Sequence, residues 1–217
     1  MSTQTSFTDQ LLARNQAVWQ AMQQHPFVTD IEQGKLDASV FNQYLVFEGD
    51  FVATAIQIFS YAVIKAPSMT HQRRLIGVLD ALANEQIAYF ERVMQKRGVS
   101  AEAYLRSTPD VYRFSQGMLR VAETGSYAEI LTLMFGAEWM YYQWCKRVSQ
   151  AEIRDADVKD WVVMHAERTF IEQASWLKAE LDTLAATLNH LQRAQLSALY
   201  AQVLQWEIDF HSAAYFN

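Results

Sequence analysis

The sequence predicts an all-α fold, and three observations carry that expectation. Apolar residues recur at intervals of three and four almost throughout the 217 residues, the spacing that lines one face of a helix. Glycine and proline are scarce, at seven and three, too few for the tight turns of an all-β chain. Hydrophobic residues make up 51% and aromatics 13%, enough to bury a sizeable core and to argue against disorder. Connections are short, with no linker, low-complexity tract or repeat, so residues 1–217 are read as a single domain.

The first helix is predicted over about Phe7 to Gln24, with Leu11, Leu12, Val18, Trp19 and Met22 as its apolar stripe. His25-Pro26-Phe27 then turns the chain, because proline steers the residue before it out of the helical region. Asp37 is read as the N-cap of a long helix that ends at Ala66-Pro67. Another helix starts after Ser68 and stops at Gly98, with a basic residue in its last turn and a glycine able to close it. Ser100 and Thr108 are expected to cap two shorter helices, the second with Pro109 in its first turn. Gly125-Ser126 separates that helix from one over Tyr127 to Val148. The remaining helices are placed at about Asp157 to Leu181 and Leu188 to Ala214.

A formal charge of −6 offers no basic footprint for nucleic acid and no polybasic patch for anionic lipid, so neither partner is expected. The single cysteine, Cys145, excludes an internal disulfide framework and suits a reducing compartment. The opening MSTQTSFTDQ lacks the flanks of a secretory signal, and the apolar stretch from Phe51 to Ile64 is interrupted by Thr54, Gln57 and Ser60. A soluble, cytoplasmic protein is the expectation.

Three glutamates break apolar helical faces. Glu48 shares a face with Tyr44, Phe51 and Ala55; Glu138 with Tyr141, Tyr142 and Cys145; Glu207 with Tyr200, Val203, Leu204, Phe210 and His211. A carboxylate among aromatics must be hydrogen-bonded, paired or protonated, and tyrosine hydroxyls suit it as partners. One such acid alone is ordinarily a rim residue, whereas three favour a polar pocket inside a helical bundle. His165 and His211 are read as core or rim residues and as the two histidines that face inward. Haem ligation by His25 is disfavoured by the adjoining Pro26. Paired Glu-x-x-His motifs, HExxH, P-loop, GxSxG and CxxC are absent, and no cofactor or metal is expected.

The segment HPFVTDIEQGKLDASVFNQYLVFEGDF (25–51) resembles the entry segment of the TenA family, thiaminase II or aminopyrimidine aminohydrolase. WEIDFHSAAYF (206–216) resembles the family's closing signature, with His211 where a tryptophan usually stands. TPDVYRFSQGML and GAEWMYYQW fall where its two central site segments belong, so the likeness spans nearly the whole chain. The resemblance implies a haem-oxygenase-like bundle of about seven helices, a homodimer or homotetramer, and a small-molecule ligand of the aminopyrimidine class hydrolysed in thiamin salvage.

Residue by residue, the resemblance sets Glu48 where an aspartate grips the aminopyrimidine edge, and Phe51 and Phe114 at stacking positions. Tyr141 matches a family tyrosine, and Glu207 the general acid toward the leaving amine. Ala137 falls where the best-known branch has its nucleophilic cysteine, and His165 where it has a tyrosine. A second branch lacks the cysteine and carries a glutamate with a tyrosine three residues later, as Glu138 and Tyr141 do here. Without a thiol, water must attack, so Glu138 and Glu207 are expected to divide the base and acid roles. Tyr141 would orient one of them, and Tyr44 and His165 complete the expected substrate-binding set. Two alternatives stay open: an oxidase of the same fold, cofactor-free like the quinone-synthesis branch or metal-dependent, and a non-catalytic aminopyrimidine-binding protein.

Overall fold

A computed structural model describes residues 5–100 and 102–216, and among them helix dominates and no strand occurs. The helices are α1 (Phe7–Arg14), α2 (Gln16–Gln23), α3 (Pro26–Glu32), α4 (Ala38–Lys65), α5 (Met69–Ala81), α6 (Ile87–Arg97), α7 (Pro109–Thr124), α8 (Tyr127–Val148), α9 (Ala156–Met164), α10 (Arg168–Ala185) and α11 (His190–Ala213). The chain divides into two compact units: Met1–Lys35 with Leu131–Ile208, and Leu36–Ile130 with Asp209–Asn217.

Most helix starts follow from local chemistry. The Asp37 side chain accepts from Ser39 N–H at 2.7 Å, and Thr108 from Val111 N–H at 3.3 Å with Pro109 at the first turn. Ser126 and Glu129 form a reciprocal capping box at α8: Ser126 N–H donates to Glu129 Oε2 at 2.7 Å, and Glu129 N–H to Ser126 Oγ at 3.3 Å. Asn189 and Gln192 repeat the exchange at α11, both at 2.9 Å. Gly98 closes α6 at φ 65°, the left-handed conformation that glycine adopts without a Cβ penalty.

Four expectations about boundaries need correction. The predicted first helix is broken at Asn15, whose side-chain amide turns to Leu11 O and to Ser197. Between Ser68 and Gly98 a π turn at Leu82–Gln86 joins α5 to α6. Ala101 lies outside the described residues, and no helix forms over 102–107. There Gln43 takes both backbone groups of Leu105, donating to its carbonyl at 2.6 Å and accepting its N–H at 3.0 Å, so they cannot enter a helical ladder. Finally, the span from Asp157 to Leu181 is two helices, with His165 at the C-cap of α9 rather than inside a continuous stripe.

In the unit formed by Leu36–Ile130 and Asp209–Asn217, α4 packs against α5, α6 and α7. Its 28 residues are long and apolar enough, by composition, to cross a membrane. Along it Phe41, Tyr44, Leu45, Phe47 and Ala62 are fully buried. Lys65, in its last turn, donates to the carbonyls of Ala122, Glu123 and Gly125 at 2.6–2.8 Å, capping the C-terminus of α7.

In the other unit, α1 packs on α10. Asp182 receives Thr8 N–H at 2.7 Å and Thr8 Oγ1–H at 2.9 Å, and Lys178 reaches Asp9 at 3.0 Å. Helices α8 and α11 of this unit approach closely at Gly136, where a Cβ would sit 2.9 Å from Val203 Cγ1.

Candidate active site

In the unit built around α4, Glu48 is half-buried and Tyr44 one turn earlier is fully buried. The Tyr44 hydroxyl donates to Glu48 Oε2 at 3.1 Å. Burial pushes the Glu48 carboxyl up to about 7, and the tyrosine's donation holds it from rising further. The Tyr44 ring is clasped on three sides: stacked on Phe41 at 6.4 Å, edge-on to Phe210 at 6.0 Å, and 5.3 Å from His211.

Phe51, Phe114 and Phe210 form a second cluster in this unit, with centroids 4.6 Å apart for Phe51–Phe114, 4.7 Å for Phe114–Phe210 and 6.3 Å for Phe51–Phe210. A flat guest between two rings needs a contact gap of roughly 3.5 Å on each side. Phe51 and Phe114 touch each other instead, so they offer one shared wall, not a slot. Phe210 is the residue that the motif reading passed over. Its place three residues after Glu207, on the same helical face, was the available signal.

In the other unit, Glu207 is 1% exposed and Glu138 half-buried. Val203, which meets Gly136, lies one turn before Glu207, so Glu207 leaves α11 on the side that faces α8. Glu138 follows Gly136 by two residues, about 200° around α8 by helical geometry, and departs beside Tyr141 and Cys145. Tyr141 and His165 are both buried and lie 5.3 Å apart, within an aromatic cluster that includes Trp144 and Trp161.

His165 Nδ1 lies 2.8 Å from the Trp161 carbonyl oxygen. A carbonyl only accepts, so Nδ1 carries the proton, and the neutral ring keeps Nε2 as an acceptor. Burial lowers His165 to about 4 against the small opposing effect of that carbonyl. His25 is a third buried histidine beside His165 and His211, correcting the expectation of two. Its ring nitrogen accepts Phe27 N–H at 3.1 Å as the N-cap of α3, and burial lowers it to about 4.

Cys145 is fully buried, and burial pushes its thiol well above the usual range, so it offers no thiolate near neutral pH. Among the described residues, no group of three or more His, Cys, Asp or Glu side chains is placed to hold a metal ion.

The chain is 25% identical over 216 residues to an aminopyrimidine aminohydrolase of Halalkalibacterium halodurans, covering 97% of this chain and 96% of that one. An aminopyrimidine aminohydrolase of Helicobacter pylori is 21% identical, covering 92% and 94%. Among solved structures, a TenA homologue from Pyrococcus furiosus superposes with a TM-score of 0.88 at 21% identity, covering 96% of this chain and 100% of that one. A protein from Silicibacter described as a TenA family transcription regulator gives 0.88 at 18% identity, with both chains fully covered. The all-α, haem-oxygenase-like fold implied by the sequence is the fold of these neighbours. The profile of the TENA/THI-4/PQQC family matches residues 12–217, and the chain belongs to that family.

Proposed function

We propose that the chain hydrolyses substituted aminopyrimidines, amino- or formylamino-methylpyrimidines, in thiamin salvage, using carboxylates and water in place of a cysteine nucleophile. The observation that carries this reading is the Glu48–Tyr44 pair, with Phe51 of the phenylalanine wall one turn further along α4: an acid that titrates near neutrality close to an aromatic surface. Such a group can donate to a ring nitrogen while accepting from an exocyclic amine. The curated relatives named aminopyrimidine aminohydrolase support the same substrate class.

Glu207 supplies the acid. Water attacks the methylene carbon, the C–O bond forms as the C–N bond breaks, and the Glu207 proton leaves with the amine. For a formylamino substrate, the attack falls on the formyl carbon and releases formate with the amine. Glu138 is assigned as the base that takes the water's proton, and Tyr141 and His165 as substrate-binding residues, on the resemblance to the family alone. The buried thiol of Cys145 and the alanine at position 137 support water as the nucleophile. In the test, purified protein releases ammonia or formate from these substrates and Cys145→Ala retains that activity. Loss of turnover in Cys145→Ala, with the fold intact, would restore a thiol mechanism.

A cytoplasmic location and a homodimer or homotetramer are parts of the same proposal. Ile64, Met69 and Tyr112 are 60–72% exposed, surface that self-association would cover. Light scattering on the purified chain tests the assembly.

A further inference from the structure

We propose that Tyr44 is a positioning residue that fixes the donor–acceptor order of Glu48, and so makes the site select an amino over an oxo group on the pyrimidine. The inference rests on the reading that the ligand is a pyrimidine gripped by Glu48.

Glu48 Oε2 receives the Tyr44 hydroxyl, and Oε1 has no protein partner among the described residues. The tyrosine cannot swing away. It is fully buried, has only two side-chain torsions, and is held by Phe41, Phe210 and His211. Because Tyr44 donates to Oε2, the proton of the neutral acid sits on Oε1. Oε1–H is then a donor, and the second lone pair of Oε2 is an acceptor.

A 4-aminopyrimidine edge presents the complement, a ring nitrogen that accepts and an amine that donates. The match survives if the proton moves from Oε1 to the ring nitrogen, since one proton is shared in either case. A 4-oxo analogue reverses the edge: its ring N–H donates and its carbonyl accepts. With the ring held in the same orientation, the proton must move to Oε2 to meet it, against the donation from Tyr44.

The surroundings leave this pair in control of Glu48. The buried residues of α5, the π turn, α6 and α7, which pack on α4, are all apolar. Asp50 is exposed and is taken by Arg106 through two hydrogen bonds at 2.6 and 3.0 Å. His211, on α11, meets the Tyr44 ring. Burial and Tyr44 are the influences that set the titration of Glu48.

The experiment compares dissociation constants of wild type and Tyr44→Phe for 4-amino-2,5-dimethylpyrimidine and its 4-oxo analogue. In parallel, the Glu48 carboxyl is titrated by carbon NMR in the ligand-free proteins. Wild type is expected to prefer the amino compound, and Tyr44→Phe to lose about tenfold of that preference, the scale of one hydrogen bond to a buried acid. The Glu48 midpoint should rise in the variant while the melting temperature stays within a few degrees, a combination that a merely structural role would not give. Equal wild-type affinity for both compounds overturns the inference without any variant. So does a Tyr44→Phe protein with unchanged preference and unchanged Glu48 midpoint. Failure of wild type to bind either compound overturns the functional reading, and this inference with it.

Discussion

Each unit buries titratable side chains among aromatic rings, and burial moves them in opposite directions on the pH scale. Around α4, the Glu48 carboxyl rises to about 7; in the other unit, His165 and His25 fall to about 4. The cause is shared, since a poorly solvated site penalises whichever form is charged. The difference lies in the local partner. Tyr44 gives Glu48 a donor that favours the charged form, so the acid remains switchable near neutrality. His165 gives its one proton to a backbone carbonyl and stays a neutral acceptor. Glu48 can thus change state at physiological pH, whereas His165 and His25 are locked out of it.

The largest expected effect follows from that contrast. The histidines are neutral in the folded state down to about pH 4, whereas the unfolded chain protonates near 6.5, so their unit loses stability as pH falls between those values. From pH 7 to pH 5, the two together should cost about 4 kcal/mol. Glu48 behaves oppositely: the folded state keeps its proton up to about 7, the unfolded chain loses it near 4.5, and stability is lost as pH rises through that window. Hydrogen exchange at pH 5 should therefore show protection falling in α3 and α9 while α4 holds. A uniform loss across both units would show that the histidines are not its cause.

Glu48→Gln sharpens the contrast from the other side. The variant should be more stable than wild type at pH 8, by on the order of 2 kcal/mol, and equal to it at pH 4. Thermal melts at the two pH values decide this, and a pH-independent difference would show that charge burial is not the cause. Gly136→Ala comes next. The new Cβ meets Val203 at 2.9 Å, so overpacking should cost about 1–2 kcal/mol in chemical denaturation. The smallest effect belongs to Arg168→Ala. Its pair with Glu172 is at the surface and open to solvent, so the variant's thermal melt should coincide with that of wild type.

What was legible in the sequence was local chemistry. Asp37, Thr108, the Gly125-Ser126 break and Gly98 each marked a helix end that the structure has, because a cap needs only its own few residues. The misses depended on distant partners. Nothing near Ser100 announces that Gln43, about sixty residues earlier, takes the backbone of Leu105. Nor does a glycine or proline mark the end of α9, where His165 is the C-cap and Glu167, in extended conformation, starts α10.

The candidate site divides the same way. Helical spacing put Glu48 beside Tyr44, as the structure has them, and set Glu207 on the apolar stripe where it is buried. It gave no sign that the Phe51 and Phe114 rings touch, or that Phe210 joins them, since both depend on packing between helices.

Turnover by Glu207→Gln tests the proposed donation of a proton from Glu207 to the departing amine. The isosteric amide keeps the shape of this buried position and cannot serve as the acid. The variant's kcat should fall by a factor of roughly 100 to 10,000, the usual contribution of a general acid, while aminopyrimidine binding and the melting temperature are retained. A Glu207→Gln protein that hydrolyses its substrate at the wild-type rate would contradict it.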